Sequence, residues 1–358
     1  MGSTNDIKKP WIETPLIESS TLSKLAGCRI FLKLDLLQPS GSFKSRGVGN
    51  FIHANLKSHS QTHPPHFYIS SGGNAGLAAV RAAQDLNCKC TVVVPHSTKP
   101  FMINKLHQAG ATEVIQHGAS WFEADTHLRE QFIDAENNAD GVNVYVPPFD
   151  HPLVWEGASS MIDEIARQLP ARKGEGGANA FAADAVICSV GGGGLFNGLV
   201  GGLERCLKDS DSGAKANKNV RVLAVETQGA HALAHSLSEG KLSSLDAITS
   251  QATSLGALQV SSRTFELASN PPPGVQVTSV VRSDAEAARG VVLLADETRL
   301  EVELACGVSV EVAVGKELKK AIPDLKPETR VVVVVCGGSN VSAEIIAGYR
   351  EQLAAGWE

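Results

Sequence analysis

The chain has 358 residues, 43% hydrophobic and 20% charged, with 32 Lys and Arg against 38 Asp and Glu. It is too apolar for a disordered chain, and its net charge of −6 argues against a nucleic-acid partner. No apolar run reaches the roughly 18 residues of a membrane helix, and the polar start, with Lys8, Lys9 and Pro10, lacks the apolar core of a signal peptide. Neither nucleic acid nor membrane is therefore expected as a partner. Glycine is the outlier at 34 residues, where average usage of about 7% would give roughly 25. Seven scattered cysteines without a CxxC pair are expected to be buried small residues in a reducing, cytoplasmic setting.

In chain order, short β-branched runs alternate with glycine-bearing turns and helical stretches. Residues 66–70 predict a strand, 75–86 an Ala-rich helix, 91–94 a strand and 99–109 a helix. Strands over 113–116 and 142–146 flank a helix near 120–137. The rhythm resumes with a strand over 185–190, a helix to about 207, and strands over 220–225 and 331–335. Unbroken apolar strands are buried on both faces, so the fold class is α/β with mostly parallel sheet covered by helices. Residues 172–180 and 208–219 read as exposed loops, and 254–278 as mostly irregular.

Four glycine-rich turns carry the chemistry. Gly191 to Gly194 remove every side chain from a strand-to-helix turn, so backbone N–H groups can converge on an anion; a flexible turn is the alternative. No Lys follows at P-loop spacing and no GxGxxG runs through it, which leaves a lone phosphate as the natural guest. Ser71-Gly72-Gly73-Asn74 offers hydroxyl, amide and backbone donors suited to a carboxylate, or an ordinary helix cap. Gly72, with no side chain, is expected to leave room there. Lys44, within a Ser/Gly turn, is either a solvated charge or, if enclosed, a candidate for a Schiff base. Cys336 ends the all-valine strand, where ligands of α/β sheets gather, although a structural cysteine is the plainer reading. His231 and His235 share a helical face, but the Glu of a metallopeptidase helix is missing.

Together, SGSFKSRG (40–47), SSGGNAG (70–76), PPFDHPLVWEG (147–157), SVGGGGL (189–195), ETQGAH (226–231) and CGGSN (336–340) occur in this order. They resemble the fold-type II pyridoxal-phosphate enzymes, in the serine/threonine dehydratase branch. The resemblance implies two domains, each an open, mostly parallel twisted sheet covered by helices. Residues 1–40 and 147–358 would form the large cofactor-binding domain and 41–146 the small one.

It also implies roles for single residues. Lys44 would be the Schiff-base lysine and the catalytic base at Cα, with Phe43 against one face of the pyridoxal 5'-phosphate ring and Ser254 at the other. Gly191, Gly192, Gly193, Gly194 and Leu195 would hold the phosphate, Asn74 the ring hydroxyl, and Cys336 would face the ring nitrogen. Ser71, Gly72, Gly73, Asn74 and Ala75 would grip the substrate carboxylate. A monovalent cation, K+, would sit at Glu226 with backbone carbonyls near Gly191, Ala230, Leu255 and Ala257. The implied activity is β-elimination from L-serine, and from L-threonine, by a catabolic homodimer. Only 18 residues follow Asn340, so no C-terminal regulatory domain is expected. A thiol supplies no negative charge to the ring nitrogen, which suits elimination better than transamination. Racemisation, β-replacement or a non-catalytic relative are the alternatives.

Overall fold

The computed structural model describes residues 7–59, 64–134, 142–170, 181–209 and 219–358. They form two units. One joins the described part of Met1–Ile12 to Gln38–Gly157, and the other joins Glu13–Leu37 to the described part of Ala158–Glu358. In chain order the strands are β1 (Leu16–Glu18), β2 (Arg29–Lys33), β3 (His66–Ile69), β4 (Lys89–Val94), β5 (Glu113–Gln116), β6 (Asn143–Tyr145), β7 (Ala185–Ser189), β8 (Val220–Thr227), β9 (Val275–Arg282) and β10 (Arg330–Val334).

The first unit holds a four-stranded, wholly parallel sheet in the order β5-β4-β3-β6. Successive strand residues point to opposite faces, and both faces are covered. Phe67, Ile69, Val92 and Val94 pack with Leu77, Val80 and Leu106 in one core, while Tyr68 and Val93 pack with Ala124 and Leu128 in another. That is the burial a parallel sheet requires.

The second unit holds a six-stranded sheet in the order β1-β2-β10-β7-β8-β9. Only the β1–β2 pair is antiparallel. The central strands β7 and β10 are buried at every residue. Helix Leu304–Val314 is apolar except at Ser309 and Glu311 and is buried almost throughout. It crosses helix Asp284–Thr298 where a Cβ on Gly290 would lie 2.0 Å from the Gly307 carbonyl oxygen, so only glycine permits that approach. All seven cysteines are free thiols, and five of them (Cys28, Cys90, Cys188, Cys306 and Cys336) are buried.

The fold class expected from the sequence is the one observed, with strand ends displaced by no more than two residues where both are defined. The segment 254–278 is the main exception. It contains helix Ser262–Ser269, capped by the Ser261 side chain, and the start of β9. The helix expected near 120–137 is α-helical over Trp121–Leu128 and continues as a π-helical turn over Arg129–Ile133; its expected end lies outside the described residues. Residues 172–180 and most of 208–219 also lie outside them, although Lys208 belongs to helix Gly194–Asp209. Among the described residues, no helix is long and apolar enough to cross a membrane.

Candidate active site

Lys44 opens helix Lys44–Ser58, directly after Phe43. Two glycines explain how that helix is held. A Cβ on Gly47 would lie 2.6 Å from the Val154 carbonyl oxygen, and one on Gly157 would lie 2.3 Å from that of Arg46. The last glycines of SGSFKSRG and PPFDHPLVWEG are therefore the contact between the two motifs. This packing brings the half-buried Lys44 to the Pro147-Pro148 turn, where its Nζ donates to the Pro148 carbonyl at 2.6 Å. The rings of Phe43 and Phe149 lie 5.4 and 6.0 Å from that nitrogen. Trp155 donates its indole N–H to the neighbouring Phe149 carbonyl at 2.9 Å and steadies the turn.

In the same unit, β3 ends at Ile69 and Ser71 to Gly73 lead into helix Asn74–Asp85. Gly76 allows this turn to close, because a Cβ there would lie 1.9 Å from the Ser71 carbonyl oxygen. Ser71 Oγ accepts from Gly73 N–H at 3.4 Å. Among the described residues, the N–H groups of Ser71, Gly72 and Ala75 have no acceptor, leaving donors at a helix N-terminus for an anion. Gly72 does not leave the room expected of it: a Cβ would meet Thr98 Cγ2 at 2.7 Å and Val94 Cγ1 at 3.3 Å. Gly73 is the open position, with nothing within 4 Å.

In the second unit, Gly191 to Gly194 connect β7 to helix Gly194–Asp209. Five consecutive N–H groups, from Gly191 to Leu195, have no acceptor among the described residues. The carbonyls are engaged instead: Gly192 accepts from Ser261 N–H at 3.0 Å and Gly193 from Asn197 N–H at 2.8 Å. Gly193 has φ +96°, and a Cβ on it would lie 1.8 Å from Thr264 Oγ1. Beneath the turn, Asn197, Ser261 and Thr264 close a buried ring of hydrogen bonds of 2.8–3.0 Å. A Cβ on Gly191 would lie 3.1 Å from Leu255 Cα and 3.3 Å from the Ser254 carbonyl oxygen. Side-chain-free backbone, left-handed where it must be, thus presents a row of donors on a turn packed too closely for any larger residue.

Cys336 follows β10 and is 4% exposed. Its Sγ lies 3.6 Å from Ser189 Oγ. A hydrogen bond with Cys306, followed by burial, holds the Cys336 thiol well above the usual thiol range, so it carries no negative charge. Sequence reasoning missed Glu303, a buried carboxylate at the start of helix Leu304–Val314. It accepts from the Ser254 hydroxyl and, at 2.8 Å, from Asn340 N–H. Gly338 makes its seat, since a Cβ there would lie 2.2 Å from the Glu303 carboxyl carbon. Ser254 itself is exposed. Glu303 thus ties Ser254 to the loop after Cys336; its one sequence signal is a carboxylate standing immediately before a mostly apolar helix.

Glu226, at the end of β8, is fully buried. Its two oxygens accept from Leu233 and Ala234 N–H, each at 2.8 Å. Burial pushes its pKa up to about 7 despite these two bonds. Ala230 N–H donates to Thr227 O at 2.9 Å, and Ala257 N–H to Leu255 O at 2.7 Å. Among the described residues, no group of three His, Cys, Asp or Glu side chains could hold a metal ion; a cage of carbonyls around one carboxylate is a different arrangement.

The model of the family described as pyridoxal-phosphate dependent enzyme matches residues 7–337. The chain belongs to this family. Pyridoxal-phosphate enzymes similar to it include an L-serine dehydratase of Saccharomyces cerevisiae, 38% identical over 93% of this chain and 94% of its own. A catabolic L-serine/threonine dehydratase of Saccharomyces cerevisiae is 39% identical over 92% of this chain and 87% of its own. Among solved structures, a fungal L-serine ammonia-lyase from Rhizomucor miehei superposes with a TM-score of 0.80 at 32% identity, covering 96% of this chain and 99% of that one.

The residues present fit the cofactor this membership implies. Five N–H donors without an acceptor among the described residues match a phosphate dianion, and the turn that presents them is packed so closely at Gly191 and Gly193 that a Cβ would crowd Leu255 and collide with Thr264. A lysine beside two aromatic rings and an uncharged thiol at a strand end are the other parts such a group needs.

Proposed function

We propose that the protein is an L-serine ammonia-lyase that deaminates L-serine to pyruvate and ammonia, and L-threonine to 2-oxobutanoate and ammonia. The observation that carries this is the presence of two separate sets of backbone N–H donors without an acceptor among the described residues, one at Gly191–Leu195 and one at Ser71, Gly72 and Ala75. They suit a phosphate and a substrate carboxylate. The similarity to two dehydratases over nearly the whole chain supports the same reading.

In this reading Gly191 to Leu195 hold the phosphate, Asn74 the ring hydroxyl, Phe43 and Ser254 the ring faces, and Cys336 the ring nitrogen. When bound, pyridoxal phosphate supplies the electron sink that stabilises negative charge at the substrate Cα. Lys44 would carry the cofactor, and its Nζ is the group that would take the substrate Cα proton. The Pro148 carbonyl, 2.6 Å from that nitrogen, limits where the amine can swing. Cys336 would offer the ring nitrogen a neutral thiol, a setting that favours expulsion of the β-hydroxyl. The donors around Ser71 and Ala75 fix the carboxylate. Water is lost in the elimination and regained when the product imine hydrolyses, so serine yields one pyruvate and one ammonia.

The experiment is to identify the products formed separately from L-serine, D-serine and L-threonine. Keto acid and ammonia from the two L-amino acids are expected, and Lys44→Ala should abolish both the turnover and the visible absorbance of the cofactor. Racemised serine without keto acid would overturn the reading.

The finer parts rest on the same resemblance: a cytoplasmic homodimer, a large cofactor domain and small carboxylate domain, and K+ at Glu226 with the carbonyls of Gly191, Ala230, Leu255 and Ala257. A buried carboxylate at the end of β8, held by the Leu233 and Ala234 N–H groups, supports the cation. Its removal should lower both activity and thermal midpoint when KCl is exchanged for tetramethylammonium chloride. Equal values in the two salts would remove the ion.

A further inference from the structure

Trp121 stands first in helix Trp121–Leu128 and is 48% exposed, beside Phe122 at 72%. Burial does not explain an indole left half in water, since the driving force grows with apolar area removed from solvent. Its one directed contact does. The indole N–H donates at 2.7 Å to the carbonyl of Ser70, which lies 51 residues earlier, directly after β3. The arm bearing the indole is itself fixed. Ser120 Oγ accepts from Glu123 N–H at 3.2 Å, and Glu123 Oε2 accepts from Ala119 N–H at 2.8 Å.

A peptide bond is planar and trans, so the C=O of one residue and the N–H of the next lie in one plane and point in opposite directions. Holding the Ser70 oxygen therefore sets the direction of the Ser71 N–H. Among the described residues that N–H is the first of the three in this turn, with those of Gly72 and Ala75, that have no acceptor. The remaining restraints act further along: Gly76 against the Ser71 carbonyl, and Thr98 against Gly72. None of them holds the peptide between Ser70 and Ser71.

We infer that Trp121 is a positioning residue for the substrate carboxylate, aligning the Ser71 N–H through its grip on the Ser70 carbonyl. The inference rests on the carboxylate reading of this turn. The test uses cofactor-loaded protein and two probes read by the change in cofactor absorbance: L-alanine, which has a carboxylate but no β-leaving group, and ethylamine, which has none. Trp121→Phe keeps the ring and removes the donor. It should weaken L-alanine about tenfold, the scale of a hydrogen bond to a charged group, and leave ethylamine unchanged. The KM for L-serine should rise with little change in kcat. Phe122→Ala, the exposed neighbour, should alter neither probe.

An unchanged ratio of L-alanine to ethylamine affinity in Trp121→Phe would overturn the inference, as would equal weakening of both probes. Equal affinity for the two probes in the wild type would instead sink the carboxylate reading itself. A measurement without substitution covers the case of a variant that does not fold. With 15N in the tryptophan indoles, the Trp121 N–H resonance should shift on saturation with L-alanine and stay in place with ethylamine; the same response to both would also overturn it.

Discussion

In the proposed function the two glycine-rich turns would meet the same problem, holding an anion with backbone N–H groups, by opposite means. The turn at Gly191–Gly194 has no side chains, takes a left-handed step at Gly193, and rests on the closed ring of Asn197, Ser261 and Thr264. The turn at Ser71–Asn74 keeps polar side chains and is held from outside, by Trp121 at one end and Thr98 at its middle. A ligand that stays can be met by a turn strained into one shape. One that exchanges every turnover needs donors on a lightly restrained segment. The difference predicts that damage to the first turn shows as lost cofactor, and damage to the second as altered KM.

Gly193→Ala should have the largest effect. The added Cβ takes a left-handed φ and collides with Thr264 Oγ1, so strain and a broken buried network together should cost more than about 2 kcal/mol. Dialysed protein should lose its visible absorbance and unfold at lower temperature. Retention of cofactor at wild-type stability would erase the distinction between the turns.

Gly72→Ala should cost less, about 1–2 kcal/mol of overpacking. It should raise the KM for L-serine while cofactor stays bound. Thr98→Ser removes the methyl that the new Cβ would meet, so the double variant should regain much of the affinity. Gly73→Ala, facing open space, should be the mildest of the three. A KM for Gly72→Ala equal to that of Gly73→Ala would mean that Thr98 is not a wall.

The smallest effect expected is on pH dependence, and it belongs to the Ser71 turn. His66, on the strand that feeds it, is held down to about 4 from an ordinary 6.5 by burial and by Lys89. The fold therefore prefers the neutral ring. Its contribution is complete above pH 6.5 and is lost as the pH falls from there towards 4, while the unfolded chain takes up the proton. His66→Gln should flatten the decline in thermal midpoint between pH 7.5 and 5. An unaltered slope would assign the acid sensitivity elsewhere.

Much of this was legible in the residues. Strands such as Val331–Val334 are buried on both faces and announce themselves by composition, and four glycines in a row have few structural uses. The family followed from motif wording, and the relatives agree with it. What could not be read were contacts between segments distant in sequence. Nothing near Gly72 says that Thr98 will crowd it, and nothing near Ser70 says that an indole 51 residues on will hold its carbonyl. Glu303 escaped for the same reason, its partners Ser254 and Asn340 lying far to either side. The helix at Ser262–Ser269 was missed because two turns between glycine- and proline-rich stretches leave too short a window for periodicity to register.

The buried thiols turn the chain into its own unfolding clock. Burial pushes Cys90 and Cys188 up to about 12 and Cys28 to about 11, which leaves almost no thiolate for an alkylating reagent near neutral pH. Intact protein should take up label at the half-buried Cys88 and Cys206 first. The arrival of further labels, counted by mass, times the opening of each core, and Cys336 reports on the strand end expected to face the cofactor ring.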